Sequence, residues 1–349
     1  MARVFVGIPT YNRPDFVKEA IESVRAQHFT DYRVLVSDNC SAPDAAGAVR
    51  RYVTGLRDPR FEFHQQNVNE GEYGQGRLFM ARSTGEDFIV MLHDDDILAP
   101  EYLEAAVGAL DATPEADLFA ANFYMMNTEA RKLEELTAWR QRHLGRAGTQ
   151  EGLFDVRTRH LMTGFTPITG TLFRRRALVK SGFADPGKTG NYPFECDIFL
   201  RLGDIGAKGW FDAREMVGVR DHPRSLKYNL TLMDNPHIVA PMLELLARRR
   251  FDGVLERRRR VLVSRLARAD ALIRLRRSDI AGFRRMLGLA LRENPRSARA
   301  WMLGLMGIVA PDTLRRRLPP VQVIQDVGEK LPPDTAPSDT GAKQYMVSK

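Results

Sequence analysis

Phe88-Ile89-Val90-Met91-Leu92-His93-Asp94-Asp95-Asp96-Ile97 carries a wholly apolar run straight into three consecutive acids. A continuous apolar run of strand length reads as a strand buried on both faces, as parallel sheets require. In open α/β sheets, ligands sit just beyond the carboxyl ends of such strands. Three carboxylates gathered there create a strong negative field. Hard oxygen donors of this kind suit Mg2+ or Mn2+. The same acids could also simply open the next helix.

Upstream, Arg3-Val-Phe-Val-Gly-Ile-Pro9-Thr10-Tyr11-Asn12-Arg13-Pro14 reads as a second buried strand entering a loop. Asp15 is placed to cap a following helix whose apolar stripe is Phe16, Ala20, Ile21 and Val24. A third strand, Arg33 to Ser37, ends at Asp38-Asn39. The right-handed crossover of a βαβ unit brings both strand ends to one edge. Pro9–Tyr11, Asp38 and Asp94–Asp96 are therefore expected to line one cleft. Through residue 125 strands near 3–9, 33–38, 60–64, 87–93 and 117–124 alternate with helices near 15–27, 43–55, 72–84 and 100–112, with Pro100 in the first turn of the last. Residues 126–165 read as helical insertion and loop, followed by a short strand at 170–173, a helical turn at 177–180, a loop-to-helix segment at 193–203 and a final strand at 210–219. From residue 235 the pattern is helical: 236–250, 254–276, 279–292 and 295–308.

Three of these stretches, Val-Gly-Ile-Pro-Thr-Tyr-Asn-Arg-Pro, Val-Leu-Val-Ser-Asp-Asn-Cys-Ser and His-Asp-Asp-Asp-Ile-Leu-Ala-Pro-Glu-Tyr-Leu, resemble glycosyltransferase family 2. The resemblance runs through Asn67–Gly85 to about His222 and rests on the motifs occurring in order. It implies a GT-A fold: a Rossmann-like, doubly wound mixed sheet, here with a C-terminal all-helical appendage. It also implies inverting, metal-dependent transfer from a nucleotide-sugar donor, expected to be UDP-linked, to a glycan or lipid-linked acceptor in surface polysaccharide assembly. Asp95 falls on the second acid of the family's DxD motif and is implied to ligate Mn2+ or Mg2+, with Asp96 adjacent and Asp94 beside the ribose or metal shell. His93 stands where the first acid usually is, which leaves its role open. Glu195, in Pro193-Phe-Glu-Cys-Asp197-Ile-Phe-Leu-Arg201, falls on the usual catalytic-base position, with Asp197 as a second candidate. Both acids also suit a helix N-terminus, where negative charge is stabilised. The resemblance gives Asp38 a hydrogen bond from the uracil ring and Tyr11 a stacking role against the base, with Pro9 and Thr10 shaping that wall and Arg13 reaching the diphosphate. A loop cap for Asp38 and an exposed helix start for Arg13 are the plain alternatives. His222, in Arg220-Asp-His-Pro-Arg-Ser, is a candidate metal ligand or diphosphate contact, or a structural histidine.

Composition narrows the choice of function. The chain has 349 residues, enough for a large domain and an appendage, divided by this reading into 1–230, an arginine-rich helical region 235–320, and a disordered tail 331–349. Two cysteines suit a reducing compartment. No apolar run reaches the ~18–20 residues that span a bilayer. The expected place is therefore the cytoplasm, with peripheral contact at the inner face of the cytoplasmic membrane. Of the net +8 charge, residues 248–317 hold 20 arginines against 6 acids, an excess of +14. Such a surface could meet anionic lipid. No nucleic-acid partner is expected, because no base-reading signature accompanies it. A nucleotide-sugar pyrophosphorylase or other nucleotidyltransferase is the competing enzyme class, but the loop after Pro9 lacks the early glycine cluster. A non-catalytic membrane-associated scaffold is the competing class without chemistry.

Overall fold

The computed structural model describes residues 2–183, 187–188, 190, 193–222, 235–309 and 311–318. Val4–Thr10 forms β1, in which only Pro9 is partly exposed. Burial on both faces is what makes the run uniformly apolar rather than alternating. Helix α1, Pro14–Arg25, follows with Val17, Ala20, Ile21 and Val24 buried. Two expectations need correction here. Asp15 does not cap the helix: Pro14 is already in its first turn and Arg13 occupies the cap position. The core stripe uses Val17 rather than Phe16, which turns instead towards His222, with ring centroids 4.9 Å apart.

Strand β2 is Tyr32–Asp38, α2 is Pro43–Gly55, β3 is Phe61–Gln65, α3 is Gly71–Arg82 and β4 is Phe88–Met91. β1 lies between β2 and β4, parallel to both, with Thr10 opposite Asp38 and Gly7 opposite Met91. All three strands thus end on the same edge. Gly7 leaves room for Phe79 of α3, whose ring atoms would lie 2.6 Å from an added Cβ.

A two-residue strand, β5 (Ile97–Leu98), precedes α4 (Tyr102–Ala112). Pro100 lies outside that helix and not in its first turn, and its carbonyl accepts from the His28 N–H. Then come β6 (Leu118–Met126), α5 (Glu134–His143), β7 (Gly152–Asp155), α6 (Val156–Thr163), β8 (Thr171–Arg174), α7 (Arg175–Lys180), α8 (Phe194–Asp204) and β9 (Lys208–Arg220). The insertion expected to be helix and loop therefore also holds a strand, β7, paired antiparallel with β9. Among the described residues the sheet is nine-stranded and mixed, in the order β3-β2-β1-β4-β8-β6-β9-β5, with β7 also on β9. A mixed sheet of this kind is what the resemblance led one to expect.

The described residues form two compact units; those within 2–190 and 198–222 belong to the first and those within 193–197 and 235–318 to the second. The second unit is helical: α9 (Pro236–Ala247), α10 (Gly253–Arg276), α11 (Ile280–Glu293), α12 (Ala298–Val309) and α13 (Pro311–Arg317). Val263, Ala267 and Ile273 of α10 and Phe283, Leu287 and Ala290 of α11 are buried. Arg259 is buried with them and pairs with Glu256 at 2.6 Å and Glu293 at 3.1 Å, as an enclosed charge requires. The tail expected at 331–349 lies outside the described residues.

Candidate active site

The carboxyl ends of β1, β2 and β4 deliver three loops to one edge. After β4 the chain turns tightly, with the Asp96 N–H donating to the His93 carbonyl at 3.2 Å. This turn points the three acids at different partners. Asp94 accepts from Thr10 Oγ1 at 2.8 Å and from Arg13 Nη1 at 3.1 Å. Asp95 Oδ2 receives Arg13 Nη1 at 3.2 Å and meets His222 Nε2 at 2.9 Å. Asp96 Oδ1 accepts the Arg220 backbone N–H at 2.9 Å, and its Oδ2 lies 3.6 Å from His93 Nδ1.

The charges divide accordingly. Burial pushes the Asp94 carboxyl up, and the Arg13 charge only partly offsets it. Burial also acts upward on Asp95, but the His222 hydrogen bond and the Arg13 and His93 charges hold it well below the usual carboxylate range. Asp95 is therefore the acid of this pair most firmly kept ionised. His93 is pushed up to about 10: burial disfavours its charge, and the Asp96 hydrogen bond and charge overcome that.

A divalent cation could be held here. One ligand atom from each of His93, Asp95 and Asp96 lies within 4.8 Å of the others. Carboxylate oxygens, with one imidazole nitrogen once the cation displaces the His93 proton, suit Mn2+ and are compatible with Mg2+. His222 joins this cluster through Asp95 Oδ2, its ring buried against Phe16.

The neighbouring wall comes from the loops after β1 and β2. The Asn39 N–H donates to the Thr10 carbonyl, the Asn12 N–H to Ser41 Oγ, and the Ala42 N–H to Asn12 Oδ1. Asn12 takes φ +53 to do so, a left-handed conformation that asparagine tolerates well. Pro9 is half-buried, Thr10 is buried, and Tyr11 is half-buried beside them. Asp38 is fully buried; its Oδ1 accepts the Ser41 N–H at 2.9 Å, while Oδ2 has no partner. A buried acceptor without a donor is costly, so it marks a place where a ligand N–H would be favoured. The loop capping weighed for Asp38 is thus present, but it uses only one of the two oxygens.

Glu195 and Asp197 stand in the first turn of α8, in the 193–197 segment that belongs to the second unit. Asp197 is buried and its N–H donates to the Pro193 carbonyl, while Glu195 is half-buried.

Sequence reasoning passed over Arg220. Its side chain is enclosed and donates to the carbonyls of Asp95 (2.9 Å), Asn127 (3.1 Å) and Thr128 (2.7 Å), and to Glu19. One arginine thus joins the acid loop, the end of β6 and α1. The signal was an arginine closing an otherwise apolar strand end two residues before His222. Asn69 was also missed: its Oδ1 accepts from Asn39 Nδ2 and from the Gly71 N–H, binding the loops after β2 and β3. Gly71 adopts φ +67, and a Cβ there would sit 2.4 Å from the Gly190 backbone.

A sequence model described as glycosyl transferase family 2 matches residues 5–180. GalNAc(5)-diNAcBac-PP-undecaprenol beta-1,3-glucosyltransferase of Campylobacter jejuni is 32% identical over 111 residues, which cover 32% of this chain and 34% of that protein. Poly(ribitol-phosphate) beta-N-acetylglucosaminyltransferase TarS of Staphylococcus aureus is 27% identical over 113 residues, 32% of this chain and 19% of TarS. The matches to the curated relatives thus span less than half of each relative's length. The crystal structure of S. aureus TarS 1-349 in complex with UDP-GlcNAc superposes with TM-score 0.63 at 14% identity, covering 90% of each chain. The mannosyltransferase PcManGT from Pyrobaculum calidifontis, in complex with GDP-Man and Mn2+, superposes with TM-score 0.50 at 16% identity, covering 90% of this chain and 82% of that one. At such identities these two likenesses speak to the fold.

Proposed function

The chain belongs to glycosyl transferase family 2, and on that footing we propose that it is an inverting glycosyltransferase that uses a nucleotide-sugar donor, UDP-linked, and a glycan or lipid-linked acceptor in surface polysaccharide assembly. The observation that carries this reading is the His93–Asp95–Asp96 donor cluster on the carboxyl edge, beside the unpartnered Asp38 oxygen. In the proposal Asp38 Oδ2 accepts the uracil N–H and Tyr11 stacks on the base, an interaction worth about 1–3 kcal/mol. Pro9 and Thr10 form the wall behind them. Asp95 and Asp96 hold Mn2+ or Mg2+ with His93, and His222 orients Asp95. A bound cation would neutralise charge developing on the leaving diphosphate. Arg13, already bonded to Asp94 and Asp95, supplies a second positive charge there.

Transfer needs the acceptor oxygen to attack the anomeric carbon as its bond to the diphosphate breaks. The hydroxyl proton must leave at the same stage. Glu195 is proposed to take it, with Asp197 the alternative base; the nucleoside diphosphate departs with the bonding pair. A single displacement of this kind inverts the anomeric centre. The location proposed with this chemistry is the cytoplasm.

TarS and PcManGT are named with UDP-GlcNAc and with GDP-Man and Mn2+ respectively, which supports a nucleotide-sugar donor but leaves the base to be tested. Screening UDP-, GDP- and dTDP-sugars for Mn2+-dependent release of the nucleoside diphosphate tests the reading. Turnover with a UDP-sugar is expected. Absence of release with every donor, with and without an acceptor glycan extract, would overturn it.

A further inference from the structure

Helix α12 buries its small residues and exposes its large ones. Ala300, Gly304 and Gly307 are buried, and α11 lies against the two glycines: a Cβ at Gly304 would be 3.3 Å from Leu287 and one at Gly307 would be 2.3 Å from Phe283. Trp301, Met302, Leu305 and Val309 are 58%, 55%, 67% and 74% exposed. At ~100° per residue these four fall within about 100° of arc, facing away from α11. The indole N–H of Trp301 already donates to the Pro295 carbonyl at 2.8 Å, so its exposed surface is the apolar ring. A contiguous apolar stripe of this kind marks an interaction surface rather than scattered surface residues.

The charge around the stripe says what it meets. Arg292, Arg296 and Arg299 are exposed in and beside the turn that leads into α12, and Arg284 and Arg285 on α11. Glu293, the lone acid of residues 280–309, is taken up by Arg259 and Arg260. Burial and the charges of Arg299 and Arg265 hold the Arg268 guanidinium below its ordinary range, with no carboxylate among the influences on it. A second copy of the chain docking face to face would set this cationic patch against itself, which like-charge repulsion opposes. A planar anionic surface satisfies both the stripe and the arginines.

We propose that the outward face of α12 docks on an anionic lipid bilayer, with Trp301, Met302, Leu305 and Val309 entering the headgroup boundary and Arg296 and Arg299 facing lipid phosphates. Apolar residues backed by arginines are the composition that binds a helix in the plane of such an interface. Among the described residues no helix is long and apolar enough to cross a membrane, so the attachment is peripheral.

The full chain is to be sedimented with vesicles of phosphatidylcholine alone and of phosphatidylcholine mixed with phosphatidylglycerol. Binding to the mixed vesicles only, weakened by salt, is expected. Trp301→Ser with Leu305→Ser should lower the partition coefficient at least about tenfold, since both side chains lose apolar burial. Arg296→Gln with Arg299→Gln should lower it severalfold and flatten its salt dependence. Trp301→Phe should retain binding while losing the blue shift of tryptophan emission on vesicle addition. All these positions are exposed, and an unchanged circular dichroism spectrum checks that each variant folds. Equal binding to neutral vesicles, binding to neither, or full binding by the Trp301/Leu305 variant would overturn the proposal. So would a dimer of the free chain that the same two substitutions dissociate, because the stripe would then be covered by a second copy.

Discussion

His222 Nε2 lies 2.9 Å from Asp95 Oδ2 across 127 residues of sequence. The contact joins the end of the last sheet strand to the acid loop after β4. The His222 ring is buried against Phe16, so it can move little without Asp95. Arg13 approaches the same Asp95 oxygen. An acid held ionised by two such neighbours, with the remaining donors of His93 and Asp96 close by, is arranged to work on cations or on the charge of a phosphate.

Arg220 is the residue on which that loop most depends. Arg220→Met keeps length and apolar bulk but strands three carbonyls and Glu19. Each buried acceptor left unpaired typically costs about 1–3 kcal/mol. Urea denaturation should show a loss of this order, and donor affinity should fall because the Asp95 backbone loses its anchor. A melting curve matching wild type would remove Arg220 from this role.

For Asp38 the expected effect is on binding. Asp38→Asn keeps the Ser41 contact but can place an amide N–H where an acceptor is wanted. UDP affinity measured by calorimetry should fall about tenfold or more, in line with the ~1–3 kcal/mol cost of an unmet buried hydrogen bond. Unchanged UDP affinity would show that the free oxygen faces something else.

Glu195→Gln separates proton transfer from binding. A general base contributes roughly 10²–10⁴-fold to the rate. The variant should lose that factor in kcat while UDP affinity stays level. Near-normal turnover would move the base to Asp197 or elsewhere.

The alternating half of the molecule was legible because its central strands are buried on both faces, and because three acids in a row are hard to explain structurally. What escaped reading depended on distant partners. Strands β5 and β7 are too short to show a period and exist because β9 pairs with them. Phe16 and Val17 are both apolar at helical spacing, and only the packing of His222 decides which one faces the site. Asp15 has a capping residue's chemistry, but Pro14 already starts the helix one residue earlier. The end of β9 marks Arg220 as out of place, but the backbone carbonyls it binds are not written in the sequence. The roles of Glu195 and Asp197 were read from resemblance, since acids in the first turn of a helix also have an ordinary electrostatic reason to be there.

His160 gives the fold a pH dependence that can be checked apart from the chemistry. Its ring lies 5.1 Å from Phe199, its Nδ1 is enclosed without a partner, and burial pulls its pKa down to about 4. The folded state resists protonation while the unfolded chain accepts a proton near pH 6.5. Stability is therefore fully present above about 6.5 and lost as pH falls towards 4, by no more than about 3 kcal/mol because the ring keeps some exposure. His160→Phe should lose less stability than wild type over that window. Parallel losses in the two proteins would contradict the assignment.

If the acid loop after β4 serves metal-dependent glycosyl transfer, as proposed, activity hangs on Asp95. Release of UDP from a UDP-sugar panel should be measured with Mn2+, with EDTA, and in the Asp95→Ala protein, alongside thermal melts of each. Turnover is expected only for wild type with Mn2+, with loss in EDTA restored by added metal, while the Asp95→Ala protein stays folded and inactive. Full UDP release in EDTA, or by folded Asp95→Ala protein, would contradict it.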